Sequence, residues 1–60
     1  MKPSTIAGVS LARVLAMEGK RPQEIVLLVT QAGYRIVLLD AFEIWEACQD
    51  HKAAVRKALT

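Results

Sequence analysis

Apolar residues in this chain come in blocks rather than in alternation, and one block is repeated. The tetrapeptide Ile-Val-Leu-Leu occurs at 25–28 and again at 36–39. Neither copy shows the strict apolar–polar alternation of a half-exposed strand, so the flanking residues must assign each one. Around the first copy, Pro22 suits an opening helical position, where no backbone N–H is needed. Glu24 then meets the positive end of the helix dipole. Gly33 is the usual residue just past a helix end, with Tyr34 able to fold back on the last turn. These signals predict a helix over about 22–32. The competing hairpin, 25–30 against 35–39, would be apolar on both faces. Around the second copy, Asp40 and Glu43 form a D-x-x-E capping box that opens a helix at Ala41. Residues 35–39 are then left as a short extended segment, paired with its own copy across a two-fold or crossing the surface, because a lone strand cannot satisfy its backbone groups.

Two further helices complete the pattern. Ser4 or Thr5 can cap a first helix over about 4–18, which Gly19 can end. Within it Gly8, Ala12 and Ala16 recur every fourth residue, a small-residue stripe that lets another backbone approach closely. Its larger apolar residues spread around most of the circumference, as in a buried helix. The last helix, about 41–58, is amphipathic. Ala41, Ile44, Trp45, Cys48, Val55 and Leu59 share one face, opposite Glu43, Glu46, Asp50 and Lys57, with Phe42 at its edge. The expected fold class is mainly α: three helices and a short extended segment in one small domain, 1–60.

Composition adds a second copy to this picture. Sixty residues with 53% hydrophobic content and a single cysteine cannot form an internal disulfide, and so short a chain has little interior. A two-fold homodimer is the simplest way to hide the surplus, with Gly8, Ala12, Ala16, Ile44, Trp45, Cys48 and Val55 expected in the core or the dimer seam. No run reaches the ~20 apolar residues of a membrane span. The apolar N-terminal stretch is split by Arg13, unlike a signal peptide. A lone free cysteine fits a reducing, cytoplasmic setting.

Candidate chemistry is sparse. Cys48 and His51 stand three apart on one helical face. Two chains would supply a Cys₂His₂ zinc set, yet a small core cysteine beside a boundary histidine is the simpler reading. The acids of the last helix form a solvated face, and the three glycines are too scattered for a phosphate loop. No enzyme activity, metal or cofactor is expected. The net charge of +2 is too small and too dispersed for a strong nucleic-acid footprint. The first two helices do have helix-turn-helix spacing, and Lys20, Arg21 and Lys52 are the candidate nucleic-acid contacts; the second helix, however, lacks the polar side chains of a reading element. The expected function is therefore that of a small regulatory or adaptor protein binding another protein, with a DNA-binding transcriptional regulator as the alternative. Tyr34, Arg35, Phe42, Gln49 and Arg56 are the candidate partner contacts, because aromatic residues and arginine dominate interface energetics.

Overall fold

The computed structural model describes residues 2–59. Three helices follow one another: α1 (Ile6–Met17), α2 (Pro22–Gln31) and α3 (Leu38–Leu59). No strand occurs among the described residues.

The first two helices stop in the same way. Lys20 N–H returns to the Leu15 carbonyl at 3.0 Å, and Tyr34 N–H to the Val29 carbonyl at 3.1 Å. These are the six-to-one bonds of the Schellman motif, which requires a left-handed residue between helix and return. Gly33 supplies it at φ 90°. Pro22 opens α2 as expected, with Glu24 in its first turn.

The third helix departs from the sequence reading. It begins at Leu38, not Ala41. Leu38 and Leu39 therefore leave the expected extended segment and form the first turn of α3, and only 34–37 remain as connection. Asp40 is not the N-cap. Val37 holds that place, its carbonyl accepting from Ala41 N–H at 3.0 Å. The physical reason lies far away in the chain. Ser4 Oγ accepts from Val37 N–H at 2.8 Å and donates to Asp40 Oδ2 at 2.6 Å. A distant serine thus serves the start of α3, and Asp40 stays in the first turn, where a negative charge is favourable.

Thr5 does a parallel task. Its hydroxyl caps α1 by accepting from Gly8 N–H at 3.0 Å. Its backbone N–H donates to the Arg35 carbonyl at 3.0 Å. The starts of α1 and α3 are thereby fastened side by side. At the other end of α1, Arg13 and Met17 line a groove with Ile44, Cys48 and His51 of α3, so the two helices run parallel.

The core is built mainly of small side chains. Gly8, Ala12, Leu15 and Ala16 of α1, Ile25 and Val29 of α2, Ile36 of the connection and Ala41 of α3 are buried. The small-residue stripe thus faces inward, and a Cβ on Gly8 would collide with the Arg35 carbonyl. Ile44, Trp45 and Cys48 are only half-buried, and Val55 and Leu59 are exposed. The reason is reach. α3 has 22 residues, α1 12 and α2 10. From Asp50 onward every described residue of α3 is exposed, a projection of nearly three turns. The molecule is accordingly elongated, 42 × 18 × 17 Å.

Candidate interaction surfaces

Two apolar surfaces stand out, both involving α3. The first lies at its start. Tyr34 and Arg35 are exposed in the connection, and Leu38 (47%), Leu39 (65%) and Phe42 (37%) are exposed on the first two turns. Residues 38, 39 and 42 are three and four apart, so their side chains adjoin on the helix surface. Lys2, Arg35, Ile36, Val37, Leu38 and Leu39 line a cleft of about 540 Å³. This corner is anchored from beneath, because the backbone of 35–37 is held by Ser4 and Thr5.

Of the partner contacts expected from the sequence, Tyr34, Arg35 and Phe42 lie at this end. Gln49 and Arg56 do not. They follow Phe42 at seven-residue intervals along one stripe of α3, about 10 Å and 21 Å away along the axis. Gln49 is half-buried and Arg56 exposed. Leu38 and Leu39 were missed as contacts. The signal for them was the unbroken apolar run 36–39 itself, since four consecutive large side chains cannot all face one core whether the backbone is helical or extended.

The second surface is a groove of about 370 Å³ between α1 and the middle of α3. Arg13, Met17, Glu43, Ile44, Ala47, Cys48 and His51 line it. Met17 is 69% exposed on its rim. Cys48 and His51 therefore do share a face. No cluster of three or more His, Cys, Asp or Glu side chains suited to a metal occurs among the described residues.

The candidate nucleic-acid contacts are placed less coherently. Lys20, half-buried, and Arg21, exposed, occupy the α1–α2 turn, and Lys52 stands exposed on the projecting part of α3. The residues α2 turns outward are Gln23, Glu24, Leu27, Thr30 and Gln31. Glu24 and Leu27 suit a phosphate-lined groove poorly. Among the described residues no helix is long and apolar enough to cross a membrane. No family model, no curated protein and no solved structure matches the chain.

Proposed function

We propose that this chain is a small, dimeric regulatory or adaptor protein that acts by binding another protein, as a modulator or inhibitor, in the cytoplasm. The observation that carries this reading is the corner at the start of α3. Tyr34, Leu38, Leu39 and Phe42 present large apolar side chains beside Arg35 on a backbone fixed by the Ser4 and Thr5 hydrogen bonds. Clustered apolar exposure on a rigid support is the usual mark of a protein-binding patch. The free cysteine, Cys48, fits a reducing compartment.

The test uses two variants, Leu39→Glu and Arg35→Glu. Both positions are exposed, so neither change should shift stability by more than about 0.5 kcal/mol. Tagged parent and variants are compared for capture of proteins from host extract, with melting curves as the folding control. Partners held by the parent and lost by both variants support the reading. Equal capture by all three removes this corner as the binding surface.

The helix-turn-helix alternative draws on the α1–turn–α2 spacing and on Lys20 and Arg21. A gel shift separates the two readings, since a DNA-binding regulator retains salt-sensitive binding to random DNA and an adaptor does not.

A further inference from the structure

We propose that the occupant of the α1–α3 groove is the projecting half of α3 from a second copy, packed antiparallel about a two-fold axis that crosses α3 between residues 49 and 50. This deepens the homodimer in the reading above by fixing its seam, direction and register. A burial boundary and a charge boundary fall within two residues of that point of the helix, and the side-chain register is compatible with it.

The first is burial. Gln49 is the last half-buried residue of α3, and Asp50 begins the fully exposed part. A two-fold here lays the uncovered half of each α3 along the grooved half of the other.

The second is charge. Residues 38–50 carry Asp40, Glu43, Glu46 and Asp50 and no Lys or Arg, whereas 51–59 carry Lys52, Arg56 and Lys57 and no acid. Antiparallel pairing sets the basic half of each helix beside the acidic half of its partner. Parallel pairing would set like beside like, which disfavours association.

The third is side-chain register. The groove is floored by Ile44, Ala47, Cys48 and His51 of α3. One heptad on, Ala54 and Val55 continue the same stripe past the end of the bundle. About an axis at 49.5, position i faces position 99 − i. Ile44 then meets the partner's Val55, and Cys48 meets the partner's His51. The outer layers are apolar, and each of the two central layers holds one histidine against a cysteine. Polar residues at a seam fix register in paired helices.

The exposed area is consistent with such a seam. The chain exposes 4523 Å², whereas a compact protein of 6.6 kDa exposes roughly 3,900 Å². Removing that excess from both copies buries roughly 1,300 Å², within the range of specific interfaces, about 1,200–2,000 Å².

The test is directional cross-linking. In a Cys48→Ala background, cysteines are placed by Ile44→Cys, by Val55→Cys and by both together. Within one helix these positions are about 16 Å apart, too far for an internal disulfide. Under mild oxidation the double variant should give on the order of tenfold more covalent dimer than either single variant. Single variants that cross-link as well as the double would show a parallel pair and overturn the proposal. A double variant that stays uncrosslinked, or that forms ladders rather than a closed dimer, would overturn it too. Melting of the reduced variants confirms folding, and sedimentation of the parent gives a reading free of substitutions: a monomer through the micromolar range also overturns the proposal. Loss of the seam with partner capture still sensitive to Leu39→Glu would leave the corner's role standing, so the two readings fail separately.

Discussion

Replacing Gly8 by alanine should destabilise the protein, although alanine is the better helix former. Gly8 lies in the first turn of α1, and helix propensity alone would favour Gly8→Ala by about 0.5–1 kcal/mol. The structure opposes this. The added methyl would overlap the Arg35 carbonyl oxygen, sit 2.8 Å from the Arg35 carbonyl carbon and lie 2.9 Å from Thr5 Oγ1. Two of these are backbone atoms that cannot swing aside, so the connection must move away from α1. That movement breaks or strains the Thr5 N–H bond to Arg35 O (3.0 Å), the Thr5 hydroxyl contact to the same oxygen (3.3 Å) and the neighbouring Ser4 bond to Val37 N–H (2.8 Å). Two to three such bonds at about 1 kcal/mol each outweigh the propensity gain and leave a net loss of about 1–2.5 kcal/mol. For a domain of this size the melting temperature should fall by about 4–20 °C. The assay is thermal unfolding followed by far-ultraviolet circular dichroism, at one fixed protein concentration so that association does not contribute. A Gly8→Ala protein melting at or above the parent temperature would show that propensity wins and that the approach of 35–37 to α1 is not as described.

Other substitutions should separate backbone from side-chain roles. Ser4→Ala removes the acceptor for Val37 N–H and the donor to Asp40, and should cost about 1–2 kcal/mol in the same melt; an unchanged melt would mean that water replaces the serine. Arg35→Glu should leave the melting temperature nearly unchanged, because Arg35 contributes its carbonyl to the fold while its side chain is exposed. Trp45→Ala should cost about 1.5–2.5 kcal/mol, half the usual value for a fully buried tryptophan, since Trp45 is half-buried; a loss of all cooperative unfolding would show that the dimer covers it completely. The parent's melting temperature should rise with protein concentration if folding and association are coupled, and a flat dependence would uncouple them.

The helices were legible in the sequence where their signals were local. Pro22, Glu24 and Gly33 bracket α2 within a dozen residues, and the structure starts and stops it there. The inward face of α1 was legible too, since Gly8, Ala12 and Ala16 recur at helical spacing and all are buried. The start of α3 was not. Asp40 and Glu43 make a sound local cap, but Ser4, more than thirty residues away, satisfies Val37 N–H instead and lets the helix begin earlier. No pattern within 35–43 contains that information. The opening tetrapeptides show the same limit. Ile25 is buried inside a helix, whereas Ile36 is buried in the connection and the leucines that follow it are exposed at the start of α3. Trp45 was expected in the core or the dimer seam, and in the single chain it is half-buried. The apolar face of the last helix does not reveal where its neighbouring helices end.

The small core explains why so much apolar surface lies outside. Helices that meet through Gly8, Ala12, Ala16 and Ala41 approach closely and leave little volume between them. Ile25 and Val29 are the largest side chains fully enclosed. Each buried alanine contributes little, since stabilisation scales at about 0.8 kcal/mol per buried CH₂. The chain's larger apolar side chains are thus available to surfaces, and α3 distributes them to two places, the corner at 38–42 and the proposed seam at 44–55. The two surfaces are compatible within one assembly. With a two-fold between residues 49 and 50, the start of one α3 would lie roughly 34 Å along the axis from the start of the other. A dimer built this way keeps its two corners apart, at opposite ends of the paired helices. A partner offering two matching sites at that spacing would be held at both ends, and the second contact would form at the high effective concentration set by the first. Under these two proposals, dissociating the seam should weaken partner binding without altering either corner.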